Sequence, residues 1–370
     1  MRFRVERDAV ADAVAWAART LPSRPSMPIL AGLLLETQSN GLVISSFDYE
    51  TSSRVEVDAA ATEPGRCVVS GRLLADITRS LPSAPVEVTV EGTRVSVSCG
   101  RSSFMLPTFP VEDYPSLPEM PHTSGTVPGS LFATAVAQVA IAAGRDDTLP
   151  TLTGIRIEVD GGVVTLAATD RYRLAVREFS WSPAAAHQET QALVPARTLA
   201  ETAKSLAGAD VINLSLAAAG EGLMGFEGNG RRTTTRLLDG EFPKYRSLLP
   251  SETLSSALVA TAELVEAVKR VSLVAERNTP VRLAFSDGEV LLRAGAGDEA
   301  QASEAVECSL EGEGLEIAFN PQYLLDGLGA LDAPQARLAF TQATRPAVLS
   351  ADGDAGAEYR YLLMPVRLAG

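Results

Sequence analysis

One segment of this sequence occurs three times at a constant spacing. VVSGRLLADITRSL, LVPARTLAETAKSL and AFNPQYLLDGLGAL begin at residues 68, 193 and 318, a step of 125 residues, and they align without gaps. Apolar residues stay in register between the copies, as at Leu74, Leu199 and Leu324. A repeat of this length has the size of a domain rather than of a solenoid unit. We therefore predict three like domains, at residues 1–122, 123–252 and 253–370.

A second repeated segment opens each domain. RDAVADAVAWAARTL, GSLFATAVAQVAIAA and TAELVEAVKRVSLVA, at 7–21, 129–143 and 261–275, carry apolar residues at steps of three and four. This spacing is typical of an amphipathic helix. Between the helices, Asn-Gly or Asp-Gly dipeptides separate alternating apolar runs, which favours tight turns between antiparallel strands. The pattern predicts an α+β fold in which two helices pack on antiparallel sheets in each domain.

Composition excludes several classes of protein. The formal net charge is −14, which argues against a protein that simply adheres to nucleic acid, because phosphate binding normally needs a basic surface. No apolar run approaches the length of about 18 residues that a membrane span requires. The three cysteines are unclustered, and we interpret them as buried thiols rather than as disulfides or metal ligands. We predict a cytoplasmic protein that makes no membrane contact.

The sequence offers little material for catalysis. Its two histidines, His122 and His187, have no serine, cysteine or carboxylate at the spacing of a known catalytic or metal-binding motif. A Walker-type phosphate loop is also missing from the sequence. We therefore predict no catalytic residue, no metal site and no cofactor, and a function other than that of an enzyme.

Basic residues recur on the second helix of the first two domains. Arg72 and Arg79 are seven residues apart and lie on one helical face, and their repeat equivalents are Arg197 and Lys204. Four apolar residues of the first copy are expected to face the core: Leu73, Leu74, Ile77 and Leu81. An ordinary solvated face is the alternative interpretation. Because both charges recur in an acidic protein, we favour helices that present positive charge to a common anionic object.

Three apolar and aromatic segments suggest a peptide-binding site. TDRYRLAV (169–176) is expected to expose two arginines around a tyrosine, and FPKYRSLLP (242–250) and YLLMPVRL (361–368) carry proline beside apolar residues. Each segment alone is compatible with an ordinary strand and turn. Together they predict an apolar cleft rimmed by arginine that anchors a short peptide.

The sequence resembles the bacterial DNA polymerase III beta subunit family of sliding clamps, and in particular its actinobacterial members. The similarity runs in order through MRFRVERDAV, SRPSMPIL, LTGIRIE, ATDRYRLAV, LDGEFPKYRSLLP and YLLMPVRL, and so covers essentially the whole chain. The resemblance implies three domains of the same processivity fold and a homodimer that closes into a ring. Such a ring encircles duplex DNA without sequence preference and tethers the replicative polymerase for processive synthesis.

Site residues follow from the same resemblance. It implies DNA contacts at Arg24 and a duplex-facing position for the recurring basic residues Arg72, Arg79, Arg197 and Lys204. It also implies a cleft for peptide motifs of the polymerase alpha subunit, the clamp loader, other DNA polymerases and repair proteins. The expected cleft residues are Leu152, Thr169, Tyr172, Arg173, Leu174, Pro243, Leu248, Asn278, Thr344, Pro346, Leu362, Met364, Pro365, Val366 and Arg367.

The resemblance also places ring closure at the strand RSSFMLPT (101–108). This strand is expected to pair with the third domain of a second chain, with Phe104, Leu106 and Leu273 at the dimer interface. Exposed strand edges normally need covering, and mutual pairing covers them. One alternative stays open, a duplicate clamp-like scaffold that binds peptides in a specialised role, for example as an inhibitor-resistant second clamp.

Overall fold

The computed structural model describes residues 1–38, 41–185, 189–216, 222–275, 279–295, 300–353 and 358–367. Six α-helices occur in this part of the chain, one in each of the six repeated segments. They are α1 (Arg7–Ala17), α2 (Gly71–Ser80), α3 (Gly129–Ala140), α4 (Ala196–Leu206), α5 (Thr261–Val271) and α6 (Pro321–Ala330). None of the helices described is long and apolar enough to cross a membrane.

Strands make up most of the remaining regular structure. The first third contains β1 (Arg2–Val5), β2 (Gly32–Gln38), β3 (Gly41–Phe47), β4 (Thr51–Val57), β5 (Ala59–Glu63), β6 (Gly65–Ser70), β7 (Val86–Glu91), β8 (Arg94–Cys99) and β9 (Ser102–Phe109). The middle third contains β10 (Gly125–Val127), β11 (Gly154–Asp160), β12 (Val163–Thr169), β13 (Arg173–Ser180), β14 (Ser182–Pro183), β15 (Glu189–Pro195), β16 (Ile212–Leu216), β17 (Leu223–Gly228) and β18 (Arg231–Arg236). The last third contains β19 (Ser255–Ala260), β20 (Val281–Ser286), β21 (Gly288–Ala294), β22 (Ala302–Glu311), β23 (Leu315–Phe319), β24 (Gln335–Phe340), β25 (Ala347–Ala351) and β26 (Tyr359–Leu363).

The first compact unit comprises the described residues of Met1–Leu131, Ser182–Ala185 and Glu201–Leu237. Its antiparallel sheet has the strand order β14-β10-β16-β17-β18-β4-β3-β2-β6-β9-β8-β7-β1-β5. The sheet crosses the predicted domain boundary where β18 pairs with β4. Helices α1 and α2 pack against each other and against β2, β3, β4 and β6. Their apolar faces and the strands enclose one core, which includes Val14, Leu33, Ile44 and Val69.

The second compact unit comprises the described residues of Phe132–Trp181, Ala186–Ala200 and Leu238–Gly370. Its antiparallel sheet has the order β15-β11-β12-β13-β26-β25-β24-β19-β22-β21-β20-β23. Here β26 pairs with β13, again across a predicted boundary. Helices α5 and α6 pack on each other, and α5 lies against β19, β21 and β22. The predicted α+β fold with helices on antiparallel sheets is thus confirmed.

The backbone and the burial of side chains agree with most of the local predictions. The Asp-Gly turns are confirmed, because Asp160 pairs with Val163 and Ser286 with Glu289, which leaves two residues between the paired positions of each hairpin. Gly161 and Gly288 in these turns have positive φ. All three cysteines are free and buried, and burial raises the pKa of the Cys67 thiol to about 12. The core position expected for Leu73 is wrong, because its side chain is 46% exposed.

Candidate functional site

The three predicted peptide-binding segments meet where β13 pairs with β26 in the second unit. The pairing sets Leu174 opposite Leu362, and both side chains are buried in one apolar cluster with Phe242. Just beyond the strands, the Met364 backbone N–H donates a hydrogen bond of 2.9 Å to the Tyr172 carbonyl oxygen. The pairing of β13 with β26 therefore gathers apolar residues that are far apart in the sequence.

A cavity of about 680 Å³ opens beside this strand pair. Its lining includes Leu152, Tyr172 and Arg173 from the predicted cleft. Helix α6 supplies a further wall that sequence reasoning missed, formed by Gln322, Tyr323 and Asp326. The Tyr172 and Tyr323 rings stack with centroids 6.3 Å apart and planes inclined by 29°. Stacked aromatic rings beside apolar side chains suit the anchoring of apolar peptide residues.

Arg173 is the centre of an ionic network at this cavity. Its Nε lies 3.0 Å from Asp170 Oδ2, and its Nη1 donates to Asp326 Oδ2 and, at 3.3 Å, to the Tyr361 hydroxyl. Its guanidinium carbon lies 4.3 Å from the centroid of the Tyr323 ring, a distance typical of cation–π contacts. The expectation of two exposed arginines in this segment is wrong for Arg173, because it is buried. Arg173 organises the cavity wall instead of forming its rim.

The charge of Arg173 is secured by its partners. Burial alone would lower the pKa of the guanidinium, but its interactions with Tyr361, Asp326 and Asp170 raise that pKa above the ordinary value. Burial also raises the pKa of the Tyr361 hydroxyl. A charged arginine held by two carboxylates and a hydroxyl fixes the positions of the side chains around it.

The other predicted cleft residues occupy varied positions. Thr169 is buried, and its hydroxyl donates a 2.7 Å hydrogen bond to the Arg173 carbonyl oxygen. Pro243, Leu248, Met364, Val366 and Arg367 are exposed, and Pro365 is half-buried. Thr344 and Pro346 lie between β24 and β25 and are not part of the cavity lining. Asn278 lies outside the described residues.

The repeat in the sequence contains a signal for Asp326, one of the cavity residues that sequence reasoning missed. An acidic residue recurs at the repeat step at Asp76, Glu201 and Asp326. In the first copy, Asp76 is exposed and lies 3.9 Å from Arg79, whereas Asp326 contacts the buried Arg173. The recurrence marks the position of Asp326 in the repeat. Its contact with Arg173, 153 residues away in the sequence, can be seen only in the structure.

The first unit contains the equivalent strand junction with different chemistry. There β4 pairs with β18 and sets Ser52 opposite Thr234, and their hydroxyl oxygens are hydrogen-bonded at 2.5 Å. Leu174 and Leu362 occupy the corresponding places in the second unit. A hydroxyl pair satisfies itself and offers little apolar surface. Of these two junctions, the one in the second unit therefore carries the apolar pair.

The five predicted DNA contacts are all exposed side chains. Arg24 lies in the loop between α1 and β2, Arg72 and Arg79 lie on α2, and Arg197 and Lys204 lie on α4. On α2, Arg72 Nη2 donates a 3.2 Å hydrogen bond to the Pro22 carbonyl oxygen. These positions are compatible with phosphate contacts, which need accessible cations rather than a shaped pocket.

The predicted interface residues differ in their exposure. Leu273 is 85% exposed in the 3-10 turn Ser272–Val274 that follows α5, and Phe104 is partly exposed on β9. Leu106 is 1% exposed and belongs to the core of the first unit. The Leu106 side chain therefore offers almost no surface to a second chain, whereas its backbone remains available at the strand edge.

The described residues include no group of three or more histidine, cysteine, aspartate or glutamate side chains arranged to hold a metal ion. The features that distinguish this chain are instead surfaces: an aromatic cavity beside a strand junction, exposed cations on helices, and strand edges with apolar neighbours. Such features are suited to binding macromolecules.

Comparison with known proteins shows the same family along the whole chain. The DNA polymerase III beta subunit N-terminal, central and C-terminal domains match residues 1–118, 126–244 and 246–367. The beta sliding clamp of Streptomyces coelicolor is 60% identical, with 100% of both chains covered. The beta sliding clamp homolog GriR of Streptomyces muensis is 47% identical, with 99% of both chains covered.

A solved structure gives the same result for the fold. The crystal structure of the Pseudomonas aeruginosa sliding clamp bound to griselimycin superimposes with a TM-score of 0.93 at 29% identity, covering 100% of both chains. The family resemblance inferred from the sequence motifs is therefore confirmed. The chain belongs to the DNA polymerase III beta subunit family, the bacterial sliding clamps.

Proposed function

We propose that two copies of this chain close head to tail into a ring that encircles duplex DNA and tethers the replicative polymerase and other partners. The observation that supports ring closure is a repeated mode of strand pairing. Within the first unit, β18 pairs with β4, and within the second, β26 pairs with β13. In the repeat, β9 corresponds to β18 and β26, and β22 corresponds to β4 and β13. The third pair of the series is therefore β9 with β22.

Both strands of that third pair have a free edge. Among the described residues, positions 102–107 of β9 pair only with β8, and positions 302–307 of β22 pair only with β21. Unpaired backbone groups on an edge strand are a template for pairing with another chain. Exposed Phe104 and Leu273 supply apolar surface near these edges. A heterologous contact of this kind forms a ring when the rotation between copies closes.

The pairings inside the chain also support a specific register for the proposed contact between chains. Ser102, Arg231 and Tyr359 are the first residues of β9, β18 and β26. Arg231 lies opposite Val55 and Tyr359 opposite Arg177. Equivalent places are occupied by Val55 on β4, Arg177 on β13 and Ala305 on β22. Each of them lies opposite the fourth residue of the seven-residue strand that comes before its own strand in the chain. The same rule sets Ser102 of one chain opposite Ala305 of the other.

The exposed cations of α2 and α4, together with Arg24, are proposed to face the DNA. Contacts to phosphate carry no sequence information, which suits a protein that must move along the duplex. A closed ring is retained by topology, so weak attraction is sufficient and the net charge of −14 is no obstacle. The cleft beside β13 and β26 is proposed to bind apolar peptides of the polymerase, the clamp loader and repair proteins. The proposed role is cytoplasmic and needs no catalytic group.

No observation favours the alternative of a specialised duplicate. Sequence identity is higher to the Streptomyces coelicolor beta sliding clamp than to the homolog GriR. The strand edges, exposed cations and aromatic cavity that support the clamp proposal are all present in the described part of the chain.

A topological experiment tests encirclement. The protein is loaded onto nicked circular DNA by its clamp loader, and the circle is then cut once with a restriction enzyme. A ring slides off the new ends, so the bound protein should be lost within minutes, while uncut circles retain it. Protein that stays on the linear DNA to the same extent as on the circle would rule out encirclement.

A further inference from the structure

A second cavity in the second unit has an unusual balance of charge. It has a volume of about 370 Å³ and is formed by β11 and the 242–247 segment. Phe242, Pro243 and Tyr245 supply its apolar lining, and its charged residues are Arg156, Glu158, Lys244 and Arg246. Three cations thus face one carboxylate, in a chain whose net charge is −14.

The single carboxylate of this cavity is already fully engaged. Glu158 Oε1 accepts a 2.6 Å hydrogen bond from Arg156 Nε, and its Oε2 accepts a 2.9 Å hydrogen bond from the Tyr245 hydroxyl. Arg246 Nη1 lies 2.5 Å from the same Oε2. Burial alone would raise the pKa of Glu158, but these bonds outweigh it and lower the pKa below the ordinary value. Glu158 is therefore ionised at neutral pH and has little capacity left for a ligand.

The cations retain free hydrogen-bonding capacity. Each guanidinium carries five N–H donors, and Arg246 uses one nitrogen in its contact with Glu158, while its side chain stays 63% exposed. Lys244 is exposed and makes no ion pair with any residue that the structure describes. The cavity therefore offers an ammonium and a guanidinium to an incoming anion, above a base of apolar side chains.

We propose that this cavity binds an acidic side chain of the same partner peptide whose apolar residues fill the cleft. Pro243 belongs to the predicted cleft, and its neighbour Lys244 lines the charged cavity, with Cα atoms about 3.8 Å apart. Leu248, another exposed cleft residue, lies in the same 3-10 turn as Arg246. The acidic residue must consequently lie within a few positions of the apolar anchor in the partner. This inference rests on the proposed function.

A carboxylate fits the cavity better than a nucleic-acid backbone does. Binding along a phosphate chain uses a row of cations and is opposed by a fixed carboxylate, and Glu158 lies among the cations here. The apolar lining suits the short stem of an aspartate or glutamate. Charge-assisted hydrogen bonds from lysine and arginine then fix the carboxylate itself.

The test compares two fluorescein-labelled synthetic peptides, Gly-Asp-Ser-Leu-Ser-Leu-Phe-Gly and its isosteric counterpart with asparagine in place of aspartate. Fluorescence anisotropy measures both affinities for the intact protein at low salt. We expect the aspartate peptide to bind about fivefold more tightly, the upper end of the range for exposed ion pairs. In the double variant Lys244→Gln/Arg246→Gln, this ratio should fall to about one, with the affinity for the asparagine peptide unchanged.

A matched control removes two exposed arginines elsewhere in the second unit. Arg282→Gln/Arg293→Gln changes the net charge equally on β20 and β21 and should preserve the fivefold ratio. A ratio of one in the unaltered protein would overturn the acidic-residue proposal while leaving the apolar cleft intact. Failure of both peptides to bind, or binding that is insensitive to Met364→Ala, would instead overturn the proposed cleft and the inference with it.

The same variants distinguish a nucleic-acid ligand. A labelled oligothymidine is added to the unaltered protein and to the Lys244→Gln/Arg246→Gln variant. We expect equal, weak binding to both. Loss of oligonucleotide binding in the variant, with an unchanged aspartate-to-asparagine ratio, would show that the cavity serves phosphates rather than a carboxylate.

Discussion

Among single residues, Asp326 and Arg173 join α6 to β13 in the wall of the 680 Å³ cavity. Arg173 is buried and shared between Asp170 and Asp326, and it lies over the Tyr323 ring. Asp326 therefore acts on the cavity through Arg173 and Tyr323, as a positioning residue. Removing the charge of one partner leaves a buried cation with incomplete compensation, which costs more than the loss of an exposed pair.

Asp326→Asn is expected to lower the free energy of unfolding by about 1–3 kcal/mol, because the Arg173 guanidinium loses a charged acceptor. Urea unfolding at a fixed protein concentration measures the change. Asp76→Asn is the matched control at the equivalent repeat position, where both side chains of the pair are exposed, and it should change the stability by less than about 0.5 kcal/mol. Equal effects of the two substitutions would contradict the structural role assigned to Asp326.

At the scale of elements, the chain uses one strand junction twice and fills it differently. Before β4 and β13, Asp48 and Asp170 accept hydrogen bonds from the backbone N–H groups two and three residues ahead. Tyr49 and Arg171 follow them with φ of 74° and 78°. The turn is thus the same, and the side chains on the paired strands decide whether the junction is polar or apolar.

The proposed register of β9 on β22 is testable by cross-linking. Opposed residues of antiparallel strands have Cα atoms about 4.5–5.5 Å apart, within the range for a disulfide. Under mild oxidation, Ser102→Cys/Ala305→Cys is expected to convert most of the protein to covalent dimers on a non-reducing gel. The three native cysteines are buried, so little background is expected.

A register control shifts one cysteine by a single residue. Neighbouring side chains of β9 point to opposite faces of the sheet. In Ser103→Cys/Ala305→Cys the two cysteines therefore lie on different faces, and cross-linking should be much weaker. Efficient cross-linking of the shifted pair, or none of the matched pair in a protein that is dimeric by sedimentation, would refute the register.

Sequence patterns anticipated the elements better than the contacts. The apolar periods and Asp-Gly turns gave all six helices and the β11–β12 hairpin, because these depend on neighbours in the chain. They did not give the burial of Arg173, whose partner Asp326 is 153 positions away. They also misplaced Leu73, since a helical period marks a face but not how much of that face the sheet covers.

At the scale of the whole molecule, an acidic net charge coexists with basic residues that recur on α2 and α4. The net charge of −14 repels DNA at long range, whereas local cations attract it within about a Debye length of 8–10 Å. A ring that holds DNA by topology needs only the local attraction. Charge reversal on one helix should consequently weaken loading without opening the ring.

Arg197→Glu/Lys204→Glu is expected to reduce loading onto circular DNA by about threefold to tenfold at physiological salt, because four units of charge change beside the phosphates. Capture of loaded circles measures the effect, and size-exclusion chromatography should still show a dimer. Arg282→Glu/Arg293→Glu is the control with an equal change in net charge, and its loading should be nearly normal. Equal losses in both variants would show that overall charge, not α4, governs the interaction with DNA.

The two free strand edges have a consequence for the chain before it assembles. As far as the described residues show, a newly made copy presents one unpaired edge on β9 and another on β22. Each is a template for any exposed strand in a crowded cell. Such edges invite aggregation and proteolytic clearance until they are paired. The abundance of the protein should therefore depend on how quickly copies meet, and a variant with weakened pairing should be depleted from cells even if each folded copy is as stable as before.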